Sequence, residues 1–129
     1  MSQENVEIVR RQYANSESLL DSKDLRPDAQ FDFTDLYPDR PVIQGVEAMR
    51  RVRDSGPWGR STRFAAERYF DVDEETVLVF TRVTSTGQGS RATLDTRVAQ
   101  QFTVRHGMIT RIKVYADRQQ AVEALGLAG

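Results

Sequence analysis

The second half of this chain constrains it most. Four strand-like segments follow one another there with very little between them. Thr62 to Val72, Glu75 to Thr84, Thr93 to Val104 and Met108 to Ala116 are linked by Asp73-Glu74, by a stretch carrying Thr86-Gly87-Gln88-Gly89-Ser90, and by Arg105-His106-Gly107. Links this short, polar or glycine-bearing, favour antiparallel hairpins. In the second segment Val77-Leu78-Val79-Phe80 is apolar on both parities, as expected of a strand covered on both faces. The last segment turns Ile112, Val114 and Ala116 one way and Arg111, Lys113 and Tyr115 the other.

The first half supplies helices and one further strand. Ser2 is placed to cap a helix with Glu4 and Glu7 in its first turns, and Val6, Val9, Tyr13 and Leu20 recur at helical intervals with small Ser16 between them. This helix is expected to end between Asn15 and Lys23, ahead of the break at Arg26-Pro27-Asp28. From Gln30 to Tyr37 the period changes to two: Phe31, Phe33, Asp35 and Tyr37 share one parity, which predicts a strand. Pro38-Asp39-Arg40-Pro41 reads as a turn, Val42-Ile43-Gln44 as a short extended piece closed by Gly45, and Val46 to Arg53 as a short helix broken by Ser55-Gly56-Pro57. Asp117 to Leu125 has helical spacing, with Gly126 suited to the position after its last turn. The expected architecture is a single α+β domain spanning residues 1–129. Its curved, mostly antiparallel sheet folds as a cone around the first helix and leaves an interior.

Composition narrows the function classes. With 129 residues, 39% of them hydrophobic, the chain is long enough for one core without staples. A net charge of −1 gives no field to draw it to nucleic acid or an anionic membrane. No apolar run approaches the ~18 residues of a membrane span, and the polar Met1-Ser2-Gln3-Glu4-Asn5 start has no leader character, so a cytoplasmic protein is expected. Cysteine is absent and His106 is the one histidine, so thiol chemistry is excluded and neither a metal nor a cofactor is expected.

Five passages carry a resemblance to a known family. They are Asn5-Val6-Glu7-Ile8-Val9-Arg10-Arg11, Phe31-Asp32-Phe33, Gly45-Val46-Glu47-Ala48-Met49-Arg50, Val98 through Gly107, and Val114-Tyr115-Ala116-Asp117-Arg118. In order and spacing they resemble the SnoaL-like branch of the nuclear transport factor 2-like superfamily, over nearly the whole chain. The resemblance implies an α+β barrel-like cone. It does not imply one activity, because the superfamily holds cyclases, isomerases, hydratases and noncatalytic proteins. Similar sequences often carry His where Gln100 stands, and the segment between Tyr13 and Pro27 is shorter than in many of them.

Candidate site residues follow from parity and resemblance together. Asp35 shares parity with the aromatics of its strand. Facing the interior, its carboxyl would be raised by desolvation and could serve as a general base, as in resembling isomerases. If the strand instead ends at Thr34, Asp35 is a solvated turn residue. Tyr13, on the inner stripe of the first helix, matches a tyrosine that donates to an oxyanion in those isomerases, or it is a core residue satisfied by a backbone carbonyl. Gln100 alternates with Val98, Phe102 and Val104, so its amide should face inward and meet a ligand, a water or Tyr13. Phe33, Phe102 and Trp58 are expected to line the pocket, Trp58 at its mouth or else stapling the short helix. Asp117 reaches the pocket or caps the last helix. Gly87-Gln88-Gly89-Ser90 lacks the lysine of a phosphate loop, His106 belongs to a tight turn, and Arg50, Arg51, Arg53, Arg60 and Arg63 are diluted by Glu47 and Asp54.

Three readings follow. The first is a cofactor-independent isomerase, cyclase or hydratase acting on a small apolar carbonyl compound, with Asp35 as base and Tyr13 and Gln100 at the oxyanion. The second is a noncatalytic binder of a small apolar molecule, favoured by Gln100 in place of a titratable residue. The third is a protein-interaction module. The mixed outer face of the sheet, and resembling proteins, imply a homodimer.

Overall fold

The computed structural model describes residues 2–14, 19–55, 62–86 and 93–127. Its elements are helix α1 (Ser2–Ala14), strands β1 (Leu25–Asp32) and β2 (Ile43–Gln44), helix α2 (Val46–Ser55), strands β3 (Arg63–Asp71), β4 (Thr76–Thr86), β5 (Thr93–Arg105) and β6 (Met108–Tyr115), and helix α3 (Arg118–Ala124). The strands form one mixed sheet in the order β2-β1-β6-β5-β4-β3. Every pairing is antiparallel except β1 with β6, which run parallel. The fold is the expected α+β cone, but an open one: among the described residues β2 and β3 are the outer strands, and the barrel is not closed.

The hairpins of the second half form where the sequence placed them. Arg105 and Met108 face each other across a two-residue link in which His106 and Gly107 have φ of 52° and 77°. Two successive left-handed residues match the right-handed twist of the strands, which is why glycine follows His106. The expected hairpin at residues 87–90 lies outside the described residues.

Alternation sorts the side chains onto two faces. Val77, Val79, Phe102, Val104 and Ile112 join Ile8 and Val9 of α1, Phe31 of β1 and Val46 of α2 in the main core, so α1 and α2 lie on the concave face. Val9 is completely buried there. The alternate residues Leu78, Ala99 and Tyr115 point the other way and are covered by Ala121, Leu125 and Leu127 of the C-terminal segment. That segment is held by Gly126 at φ 70°, whose N–H bonds Glu123 O while the Leu127 N–H bonds Val122 O 2.9 Å away. These two bonds satisfy the last carbonyls of α3 and turn Leu127 back onto the sheet.

One strand departs from expectation. β1 begins five residues earlier and ends five residues earlier than the predicted Gln30 to Tyr37. It runs through Pro27, which removes a ladder donor, and its register against β6 shifts between Leu25 and Gln30. At its end the Asp32 carboxylate accepts from the Thr34 N–H at 3.0 Å and the Thr34 hydroxyl at 2.6 Å, while Phe33 O accepts from the Leu36 and Tyr37 N–H groups. The chain is bent into a turn by its own side chain before Asp35 is reached.

Asp32 is also half of an ion pair across the parallel ladder, 2.7 Å from the Arg111 guanidinium. Burial alone would raise its carboxyl. The two Thr34 hydrogen bonds and Arg111 outweigh that and hold it below the usual carboxylate range. A carboxyl depressed in this way stabilises the fold fully above its unfolded value of ~3.9, and that contribution fades as pH falls through the lower folded value. Because the Arg111 side chain is 40% exposed, Asp32→Asn should cost about 1–2 kcal/mol near neutral pH, less than a fully buried pair would. The difference between parent and variant in urea denaturation should vanish as the solution approaches pH 2.

Candidate functional site

The site is built where the end of α1 meets the middle of the concave face. Tyr13 occupies the last turn of α1, and its ring packs edge-on against Tyr69 of β3, centroids 6.1 Å apart, and against Phe102 of β5 at 5.9 Å. Its hydroxyl meets two side chains from neighbouring strands. It donates to Gln100 Oε1 and lies 3.1 Å from Thr81 Oγ1. The Thr81 hydroxyl itself lies 3.2 Å from Gln100 Oε1. Tyr13, Thr81 and Gln100 thus form one buried polar knot among apolar and aromatic side chains.

The electrostatics of the knot are those of neutral groups. Burial pushes the Tyr13 phenol far above its ordinary value, an effect the Thr81 hydrogen bond only partly offsets. The phenol therefore stays protonated at any physiological pH and remains a donor. Gln100, 5% exposed, carries no charge to supply or remove. The arrangement can orient a polar group and exclude water, and it can donate hydrogen bonds. Tyr13 and Gln100 do not take up a proton here.

The remaining candidates divide. Phe102 is buried in the main core, and Phe33 is partly buried, bridging that core and a second concave cluster of Val83, Val98 and Val114. Across the sheet Gln100 pairs with Val79 on one side and Val114 on the other, and Val79 pairs with Tyr69, so these side chains share one row. Asp35 is elsewhere: it is exposed in the turn after β1, and its carboxylate accepts from the Ala116 N–H at 2.7 Å. It does not join Tyr13 and Gln100. Asp117 is exposed and caps α3, accepting from the Gln119 N–H at 2.8 Å. Trp58 and Arg60 lie outside the described residues, as does Ser16. Among the described residues no group of three His, Asp or Glu side chains gathers as a metal site, and no helix is long and apolar enough to cross a membrane.

Thr81 and Tyr69 were missed in the sequence. The signal for Thr81 was present: it is a hydroxyl set between Val79 and Val83 in the inward series of β4. Tyr69 was hidden because β3 carries an irregularity between Ala66 and Arg68 that shifts its parity.

Solved structures match this backbone across nearly its full length. With a protein from Jannaschia sp. CCS1 named for the SnoaL-like polyketide cyclases, the chain shares 18% identity and a TM-score of 0.69, over 98% of this chain and 94% of the other. Bal32a, from a soil-derived mobile gene cassette, matches at 20% identity and a TM-score of 0.73, over 96% and 97% of the two chains. TerC, crystallised with polyporic acid, matches at 18% identity and 0.68, over 95% and 97%. Further matches carry nuclear transport factor 2-like and ketosteroid isomerase-like names. The chain has the nuclear transport factor 2-like fold. No protein-family model and no curated protein matches the sequence. At identities this low the SnoaL-like likeness speaks for fold and not for activity.

The two roles open for Asp117 can be separated. Asp117→Ala should lose about 1 kcal/mol of stability, the worth of a helix cap, read as a lower urea midpoint. Restoration of that midpoint by Asp117→Ser or Asp117→Asn, both good caps, is the expected control.

Proposed function

We propose that this SnoaL-like domain holds a small, largely apolar molecule in the interior of its cone, against the Tyr13–Thr81–Gln100 knot. The observation that carries this reading is a buried neutral polar group on a concave face otherwise lined by Phe33, Tyr69, Phe102, Val98 and Val114. Sites for small molecules have this composition: mostly apolar walls and a few convergent polar atoms. The concave face also keeps accessible surface beyond the end of α1. Phe64, which pairs with Val83, is 40% exposed, and Tyr13, Phe33 and Tyr69 are only partly covered. Among structural neighbours, TerC was crystallised with polyporic acid, which supports a small-molecule guest for a protein of this fold.

Binding without turnover is favoured over proton transfer, because the inward polar groups are neutral and the one candidate base bonds a backbone N–H instead. A second reading keeps Asp35 as base at the rim. Its neighbours Phe33 and Leu36 pack on the concave cluster, so a guest lying across that rim would meet its carboxylate once it left Ala116. The homodimer belongs to the same proposal. Its contact would use the polar outer strip around Arg111 and Lys113, since α3 already covers Leu78 and Ala99.

Native mass spectrometry of the protein taken from its own host should reveal a retained small molecule, released unchanged after prolonged incubation. Absence of any adduct across preparations would remove the binding reading. Conversion of the molecule by the parent, lost in Asp35→Asn with affinity intact, would establish the proton-transfer reading in its place. Light scattering on the same samples should give twice the 14.7 kDa chain mass.

A further inference from the structure

The outer face of the sheet carries a second polar contact, behind the knot. Arg118, the first residue of α3, sends its guanidinium across β5 and β4. Its Nε donates to Val98 O at 3.1 Å, and its Nη2 donates to Thr81 O at 3.1 Å and to Glu67 Oε1 at 2.5 Å. The same guanidinium lies over the Phe80 ring, 4.8 Å from its centre. Thr81 and Val98 stand opposite each other in the β4–β5 ladder, and both turn their side chains to the concave face. Arg118 therefore grips, from outside, the backbone of the residue whose hydroxyl serves the knot inside.

Glu67, at the far end of this contact, is the residue that β3 carries in excess. Ala66 pairs with Thr81 and Arg68 with Phe80, so Glu67 has no place of its own in the ladder. Ala66 and Tyr69 pack against the concave core, while Glu67 and Arg68 both face outward, Arg68 over the Phe70 ring. In an unbroken ladder Glu67 would stand opposite Phe80, Arg68 would point into the core, and Tyr69 would leave the concave face. Among the described residues β3 has no neighbour on its far side to fix where the extra residue sits. Arg118 does so from across the sheet, and Arg97 approaches the same Glu67 oxygen at 3.5 Å. The Arg118 hydrogen bond, more than any other contact, holds the Glu67 carboxyl below its ordinary range, so the pair is charged near neutral pH. Arginine suits the task because its planar fork reaches oxygens on three strands at once, which the single nitrogen of lysine cannot. We propose that Arg118 and Glu67 are positioning residues for the concave site: their contact fixes the bulge that sends Tyr69 inward against Tyr13, and it holds the Thr81 backbone where its hydroxyl meets the knot. The purpose of that positioning rests on the small-molecule reading above; the clamp itself does not.

Fluorine-19 NMR of the full chain labelled with 3-fluorotyrosine tests this. The protein has four tyrosines, whose signals are assigned from Tyr13→Phe, Tyr37→Phe, Tyr69→Phe and Tyr115→Phe. In Arg118→Ala the Tyr69 and Tyr13 signals should move, while that of exposed Tyr37 stays in place. Amide hydrogen exchange at Thr81 should quicken roughly tenfold or more relative to Ile112, the order expected for loss of a charge-assisted hydrogen bond. Glu67→Ala should displace Tyr69 in the same direction, and adding Arg118→Ala to it should displace Tyr69 little further, because the two residues act as one unit. Arg118→Lys, which keeps a cation near Glu67, should bring Tyr69 part of the way back. Arg82→Ala is the control: it breaks the two-pronged pair with Asp95 on the same face and should leave both concave tyrosines unmoved. A lower urea midpoint in Arg118→Ala or Glu67→Ala with the Tyr69 and Tyr13 signals unmoved would overturn the positioning role. Equal displacement of those signals in Arg82→Ala would overturn it as well. Should Arg118→Ala fail to fold, Glu67→Ala and Arg118→Lys carry the test. No guest enters these measurements, so their outcome is separate from that of the native mass spectrometry.

Discussion

Everything in this molecule depends on docking one short helix into the hollow of a sheet. Ile8 and Val9 of α1 close over Val77, Val79, Phe102 and Val104, with Val9 completely out of water. Burying side chains of this kind contributes about 1.5–3 kcal/mol each, so this contact dominates whatever the polar groups add. α1 turns its last inward residue, Tyr13, towards the middle of β4 and β5, and the concave surface past that point keeps part of its accessibility. The same contact that makes the core therefore delivers a hydroxyl to Thr81 and Gln100 in the middle of the sheet.

Parity carried most of the fold. The strands of the second half announce themselves because each alternates against its neighbour and because their links are too short for anything but hairpins. The inward placement of Gln100 and Phe102 came from the same count, and so did the partnership of Gln100 with Tyr13 as one of three options. What alternation cannot show is where a strand stops when a side chain ends it. Asp32 looked like an outward residue in mid-strand. Its carboxylate instead captures Thr34, and the bend that results takes Asp35 off the face its parity assigned. A base predicted from alternation was lost to an acid three residues earlier.

The other misses have comparable causes. Pro27 reads as a breaker, and it does end any helix, yet a register shift lets it sit inside β1. The irregularity in β3 moves Tyr69 onto the concave face by inserting one residue, which no periodic count across the strand can anticipate. Thr81 was legible in principle as a hydroxyl among valines, but its meaning depends on Tyr13 arriving from a helix some seventy residues away. Local pattern specifies faces; convergence of three elements on a point is a property of the assembled sheet.

The parallel seam between β1 and β6 has a further consequence, for the order of assembly. The hairpins β3-β4-β5-β6 are contiguous in sequence and can zip locally. β1, the short β2 and the α2 helix packed on them find a partner only in the final strand. On a ribosome β1, β2 and α2 must therefore wait, with Phe31 and its neighbours uncovered, until residues past Tyr115 have emerged. Topologies that join the ends of the chain late fold more slowly than those built from neighbours alone. The interval between synthesis of β1 and arrival of β6 is thus the stage at which this protein is most open to aggregation, and a truncation inside the last strand would leave β1, β2 and α2 without the strand that joins them to the sheet.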